Sequence, residues 1–122
     1  MEFLKKKILV IDDEPGFVEI LHARFDSRYE VCEAFDGETG FKKAVQEKPD
    51  LILLDILMPK MNGYELLKKL KSHVGTRDIP VVMLTDVTET HSITEARELG
   101  MVDYLIKPLH LDDLPEIVRR YV

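Results

Sequence analysis

The sequence predicts one doubly wound α/β domain over residues 1–122, with helices on both faces of a parallel sheet. Five short apolar runs alternate with five amphipathic stretches, as strands and helices do in such a fold. Three of the runs are apolar at every position, which is typical of strands covered on both faces. A length of 122 residues suits a single compact domain.

The apolar runs are the predicted strands. In chain order they are Ile8–Ile11, Val31–Phe35, Leu51–Leu54, Val81–Leu84 and Tyr104–Ile106. Glu33 interrupts the second run and Asp103 precedes the fifth, whereas the other three carry no polar residue. The second and fifth runs are therefore the expected edge strands.

The stretches between the runs carry apolar residues at helical spacing. The expected buried stripes are Phe17, Ile20, Leu21 and Phe25; Phe41, Ala44 and Val45; Leu66, Leu67, Leu70 and Val74; Ile93, Ala96 and Leu99 or Met101; and Leu114, Ile117, Val118 and Tyr121. Gly100 is the expected stop of the fourth helix. Asn62 is a suitable cap for the third helix, and Gly63 permits a tight backbone just before it.

The composition excludes several classes of protein. The net charge of −6 disfavours direct binding to nucleic acid or to an anionic membrane. The single cysteine, Cys32, excludes an internal disulfide, and no run of eighteen apolar residues is present. Nor does the start of the chain have the pattern of a signal peptide. A reduced, cytoplasmic protein is the expectation.

Polar side chains follow four of the five predicted strands. Asp12 and Asp13 come after the first, Asp55 after the third, Thr85 after the fourth and Lys107 after the fifth. Carboxyl ends of parallel strands meet at one edge of the sheet, where open α/β folds form their ligand crevice. An aspartate in such a place is often only a helix cap, but the coincidence at four strands predicts a site.

The chemistry of this site follows from its charges. Asp12, Asp13 and Asp55 would repel one another, so the cluster requires a cation. A few hard oxygen ligands suit Mg²⁺, and no histidine or cysteine spacing typical of a zinc site competes. A carboxylate beside Mg²⁺ can attack phosphorus and form an acyl phosphate, while Lys107 balances charge on the phosphoryl oxygens.

Four segments of the chain resemble the CheY-like receiver domains of two-component response regulators. They are ILVIDDE from Ile8, LDILMPKMNG from Leu54, VVMLT from Val81 and DYLIKP from Asp103. Their order and spacing together are very specific, and the likeness covers essentially the whole chain. The resemblance implies a flavodoxin-like (βα)5 sandwich with strand order 2-1-3-4-5.

The resemblance also implies roles at the acidic positions. Asp55 would be the phosphoacceptor. Asp13, Asp55 and the backbone carbonyl of Leu57 would bind Mg²⁺ directly, and Asp12 would act mainly through water. Transfer and autodephosphorylation would be self-catalysed, so we expect a phosphoacceptor rather than a turnover enzyme.

The remaining motif positions are expected to sense the phosphoryl group. Thr85 would hydrogen-bond it, and Lys107 would pair with it. The Lys107–Pro108 bond is expected to be cis, which helps to aim Lys107 into the site. Tyr104 would be the switch residue that moves inward when Thr85 is drawn to the phosphoryl group.

The implied partners are a sensor histidine kinase or a histidine phosphotransfer protein. Phosphorylation would alter the surface made by the fourth helix, fifth strand and fifth helix, which in the family often forms a dimer or partner surface. The sequence does not identify the effector.

Two other functions stay open at this point. An acyl-phosphate-forming phosphatase would need a second acid two residues after the nucleophile, where this chain has Leu57. A receiver-like interaction module that works without phosphorylation usually lacks a site residue, whereas Asp12, Asp13, Asp55, Thr85 and Lys107 are all present.

Asp86 is the one departure from the receiver pattern, since the residue after the threonine is usually small. Its carboxylate would crowd the entrance to the site or place a further negative charge near an incoming anion. We therefore expect Asp86→Ala to alter the kinetics of labelling by a small phosphodonor. Unchanged rates of both labelling and loss of label would contradict this.

Overall fold

The computed structural model describes residues 5–25, 28–56, 58, 61–85, 90–107 and 113–122, with only the backbone at 90–92. The strands are β1 Lys6–Ile11, β2 Tyr29–Ala34, β3 Leu51–Asp55, β4 Val81–Thr85 and β5 Asp103–Ile106. The helices are α1 Pro15–Phe25, α2 Gly37–Glu47, α3 Gly63–Ser72, α4 Thr90–Glu98 and α5 Asp113–Tyr121.

The five strands form one parallel sheet in the order β2-β1-β3-β4-β5. The predicted fold class and strand order are therefore confirmed. The edge strands are β2, which Glu33 interrupts, and β5, which begins with Asp103, as these polar residues indicated. The three central strands are buried almost throughout, which explains why their sequences are apolar at every position.

Alternate residues of each central strand enter two separate cores. One core packs against α2, α3 and α4 and includes Leu9, Ile11, Ile52, Leu54, Leu66, Leu70 and Ala96. The other packs against α1 and α5 and includes Ile8, Val10, Leu51, Leu53, Val18, Leu21, Leu114 and Val118. Because successive strand side chains point to opposite faces, each apolar run serves both cores.

Two members of the expected helical stripes were wrongly assigned to the core. Ile20 is 51% exposed, and Val18 is buried in its place. The buried stripe of α1 is Val18, Leu21 and Phe25, and Ile20 lies about 100° around the helix from Leu21. Val74 is 75% exposed because α3 has already ended at Ser72.

Local signals set the ends of two helices as the sequence indicated. The side chain of Asn62 accepts a hydrogen bond of 3.0 Å from the Glu65 backbone N–H and so caps α3. Gly100, with φ of 110°, follows α4 and donates its N–H to the Arg97 carbonyl. The left-handed backbone there favours glycine and stops the helix.

Replacement of Asn62 with alanine should lower the free energy of unfolding by about 1 kcal/mol, because the Glu65 N–H loses its partner. Urea unfolding at neutral pH measures the change. Asn62→Asp is the matched control, since its carboxylate can still accept the bond. Equal losses in the two variants would contradict a capping role.

The longest described helices, α1 and α2, have 11 residues each. A bilayer-spanning helix needs about 20 apolar residues. Within the described ranges, no helix meets the length and hydropathy that a membrane span requires.

Candidate functional site

The register of the sheet brings Asp12 level with Asp55. Ile11 of β1 pairs with Leu54 of β3, so the next residue of each strand lies at the same carboxyl edge. Asp55 in turn pairs with Leu84 of β4, which leaves Thr85 one position further along that edge. The carboxyl ends of β1, β3 and β4 therefore lie side by side, and each places a polar residue there: Asp12, Asp55 and Thr85.

The fifth strand adds Lys107 to the same edge. Thr85 pairs with Ile106, and the Lys107 backbone N–H donates a 2.6 Å hydrogen bond to the Thr85 carbonyl. Because this bond anchors its backbone to β4, the Lys107 side chain starts directly beside the threonine. The described part of the structure therefore gathers side chains that are far apart in sequence.

Three carboxylates form a compact group at this edge. Asp12, Asp13 and Asp55 each offer one oxygen, and these oxygens lie within 4.8 Å of one another. Asp12 is fully buried and Asp55 is 5% exposed, whereas Asp13 is half-buried. The group therefore opens to solvent on the side of Asp13.

The Lys107 ammonium lies among these carboxylates. Its Nζ donates a 2.8 Å hydrogen bond to Asp12 Oδ2 and lies 3.7 Å from Asp55 Oδ2. A longer contact of 3.9 Å joins it to Glu14 Oε1. Asp12 Oδ1 accepts a 2.9 Å hydrogen bond from the Glu14 backbone N–H, so both oxygens of the buried carboxylate have donors. In this structure Lys107 is bound more closely to Asp12 than to Asp55.

The surroundings of Lys107 shift its pKa in two directions. Burial disfavours the ammonium and lowers the pKa, but the hydrogen bond to Asp12 and the charges of Asp12, Asp55 and Glu14 outweigh it. The pKa of Lys107 therefore lies above its ordinary value of 10.5. Where the carboxylates are ionised, these ion pairs stabilise the fold fully at pH values below 10.5, and the contribution is lost as the pH rises through the raised pKa of Lys107.

The ligand set fits a hard divalent cation. It consists of carboxylate oxygens, one of them on a half-buried side chain with access to water. Mg²⁺ prefers oxygen ligands, uses few carboxylates and keeps several of its waters. Among the described residues, the three carboxylates of this group outnumber the Lys107 ammonium beside them, so a bound cation would offset their repulsion.

Comparison with known proteins decides the family. The sequence model of one protein family, the response regulator receiver domain, matches residues 8–119. The chain belongs to this family.

One curated relative is PhoP of Bacillus subtilis, a transcriptional regulatory protein of alkaline phosphatase synthesis. It is 43% identical to the present chain over 106 residues. The match covers 86% of the present chain and 43% of PhoP. The chain spans less than half the length of this curated relative and of two other transcriptional regulators that it matches.

Solved structures support the same family. The chemotaxis protein CheY4 of Vibrio cholerae superposes with a TM-score of 0.91 at 28% identity, covering 97% of the receiver domain and 99% of CheY4. The receiver domain of the sensor histidine kinase PA1611 of Pseudomonas aeruginosa has a TM-score of 0.87 at 27% identity, with 96% and 97% covered. That protein has a magnesium ion coordinated in its active site cleft.

The receiver domain brings together five of the predicted site residues: Asp12, Asp13, Asp55, Thr85 and Lys107. Tyr104 lies on the edge strand β5, half-buried against the core beneath α2, α3 and α4. The predicted carbonyl ligand Leu57, the predicted cis bond to Pro108 and the departure at Asp86 all lie outside the described residues.

Two residues at the receiver site were not singled out by the sequence. Glu14 has the 3.9 Å contact to Lys107 described above. An acidic residue just before a helix is usually explained by the helix dipole alone, so its position does not indicate this contact. Phe17 places its ring centroid 4.3 Å from the Lys107 ammonium. Its apolar spacing with Leu21 indicated core packing alone, and no local signal distinguishes a ring that also faces a cation.

Proposed function

We propose that this receiver domain is a phosphorylation-controlled switch of a two-component system, in which Asp55 accepts the phosphoryl group. The observation that carries the proposal is the group of three carboxylates within 4.8 Å of one another, joined by the Lys107 ammonium. A buried carboxylate with a cation beside it is a nucleophile suited to a phosphoryl donor. The match over residues 8–119 supports a single receiver domain across the chain.

In the proposed reaction the donor is a phosphohistidine of a sensor histidine kinase or a phosphotransfer protein. An oxygen of Asp55 forms a bond to phosphorus while the phosphorus–nitrogen bond breaks. The bonding electrons stay on the leaving imidazole, which takes a proton from water. Charge on the phosphoryl oxygens is balanced by Lys107, and the Thr85 hydroxyl donates a hydrogen bond to the group.

Asp12, Asp13 and Asp55 would hold Mg²⁺, together with the backbone carbonyl of Leu57. When bound, the ion supplies positive charge that neutralises the phosphoryl oxygens during transfer. The acidic group and its solvent-facing Asp13 support this assignment. The magnesium ion in the related receiver domain of PA1611 supports it independently.

The proposed output surface is made by α4, β5 and α5. A cleft of about 220 Å³ on this side is lined by Tyr104 of β5 and by Asp113, Ile117 and Arg120 of α5, among others. Movement of Tyr104 towards Thr85 after phosphorylation would change the wall of this cleft. The new shape would bias binding of an effector or of a second copy of the chain.

The decisive experiment is incubation with acetyl phosphate and Mg²⁺, followed by intact mass measurement and mapping of the modified residue after borohydride reduction. One added phosphoryl group, mapped to Asp55 and absent with EDTA, is the expected result. Label on another residue would overturn the assignment. Sustained release of phosphate at enzyme-like rates would indicate a phosphatase instead, and absence of label would favour an interaction module.

Mg²⁺ should stabilise the folded state without any phosphodonor. At ten times its dissociation constant, a ligand specific for the folded state adds about 1.4 kcal/mol to the free energy of unfolding. Urea unfolding with and without the ion, at matched ionic strength, measures this. Asp13→Asn should need a much higher Mg²⁺ concentration for the same gain. An equal response of wild type and variant would exclude Asp13 as a ligand.

A further inference from the structure

The ring of Phe17 lies against the Lys107 ammonium, at 4.3 Å from centroid to Nζ. We infer that Phe17 is a positioning residue for phosphoryl transfer, which holds the Lys107 ammonium in the site through its ring face. The inference rests on the proposed function, because it assigns to Phe17 a part in the same reaction.

The geometry supports an attraction rather than a chance contact. An ammonium within about 6 Å of an aromatic centroid is attracted by the ring quadrupole, and more strongly when both are desolvated. The Lys107 side chain is only 17% exposed, and Phe17 is partly buried against the core beneath α1 and α5. Helix α1 begins two residues earlier, at Pro15, so the ring projects from its first turn.

The ring differs chemically from Asp12 and Asp55, the two aspartates that contact Lys107. Asp12 and Asp55 belong to the group proposed to hold Mg²⁺, so a bound cation competes with Lys107 for their oxygens. A phenyl ring is not a ligand for a hard dication, which takes oxygen donors. Phe17 therefore keeps its attraction for Lys107 when the carboxylates are engaged by metal. Its ring face also uses none of the directed hydrogen bonds that the ammonium needs for an anion.

Positioning matters because Lys107 sits at the end of a flexible side chain. In the structure described here the ammonium is closest to Asp12, at 2.8 Å, and must shift to meet a phosphoryl group on Asp55. A ring that attracts the ammonium without fixing its direction permits that shift and opposes escape to solvent. The amount of transition-state charge that Lys107 balances then depends on Phe17.

The test compares Phe17→Leu, which keeps an apolar side chain, with Phe17→Tyr, which keeps the ring face. At saturating Mg²⁺ the leucine variant should be labelled by acetyl phosphate about two- to fivefold more slowly than wild type. The tyrosine variant should be labelled at close to the wild-type rate. Urea unfolding of each variant shows that it is folded under the conditions of labelling.

A double-mutant cycle separates positioning from packing. In a Lys107→Met background, Phe17→Leu should cause no further slowing, because there is no ammonium left to position. The same slowing in both backgrounds would overturn the inference and leave Phe17 as a core residue. Failure of the tyrosine variant to restore the rate, in a folded protein, would overturn it as well.

A spectroscopic measurement keeps this inference separable from the proposed function. The ε-methylene protons of Lys107 should resonate upfield of an ordinary lysine in wild type and in Phe17→Tyr, owing to the aromatic ring current. They should return towards the ordinary position in Phe17→Leu. Absence of any label in wild type would defeat the proposed reaction, while unshifted protons in wild type would defeat the ring contact itself.

Discussion

Asp55→Asn is expected to abolish labelling by acetyl phosphate, with a fall in rate of at least about a hundredfold. The amide carries no negative charge and is a poor nucleophile towards phosphorus. Intact mass measurement over a time course follows the reaction. We also expect the variant to unfold at a urea concentration no lower than wild type, because one of three clustered negative charges has been removed.

Asp50→Asn is the matched control, since it makes the same chemical change at the other end of β3. The carboxylate of Asp50 accepts a 2.8 Å hydrogen bond from the Lys7 backbone N–H, and an asparagine oxygen can replace it. Labelling should proceed at the wild-type rate. Loss of labelling in both variants would point to general damage to the sheet, and retained labelling in Asp55→Asn would exclude Asp55 as the acceptor.

Gly63→Ala should destabilise the fold by about 3 kcal/mol, because a side chain at this position has no room. A Cβ there would lie 2.5 Å from the Asp55 carbonyl oxygen and 2.6 Å from the Ile56 Cα. Both are backbone atoms, so rotation of a side chain cannot relieve the clash. The 2.7 Å hydrogen bond from the Gly63 N–H to the Ile56 carbonyl would be disturbed as well.

The same change should slow labelling, because the backbone of the proposed acceptor has to move. Reacting groups displaced by about 1 Å can lose as much as a hundredfold in rate. Urea unfolding and the labelling time course measure the two effects separately. Gly16→Ala is the matched control: apart from its chain neighbours and the nearby backbone of its own helix, no described atom lies within 4 Å of the added Cβ, and alanine favours the helix. Equal stability of the two variants would contradict the close approach at Gly63.

Much of the fold could be predicted from the sequence because its signals are local. The three uninterrupted apolar runs became the three central strands, and the polar residues Glu33 and Asp103 marked the two edges. Asn62 and Gly100 ended helices as expected, since their backbone preferences act over a few residues. Ile20 was wrongly assigned to the core. The apolar residues of α1 allow more than one choice of buried face, and packing of the helix on the sheet determines which face is buried.

For the site as well, some features could be predicted from local sequence and others depend on contacts between distant residues. The sequence by itself determined which chemical groups follow the strands, because strand ends can be read from apolar runs and a parallel sheet brings its carboxyl ends to one edge. Only the tertiary structure decided that Lys107 binds Asp12, 95 residues away, more closely than Asp55. It also decided that Phe17 faces the ammonium and that Gly63 lies against the backbone of Asp55. These contacts depend on strand register and on how α1 and α3 pack on the sheet, which no local pattern of residues encodes.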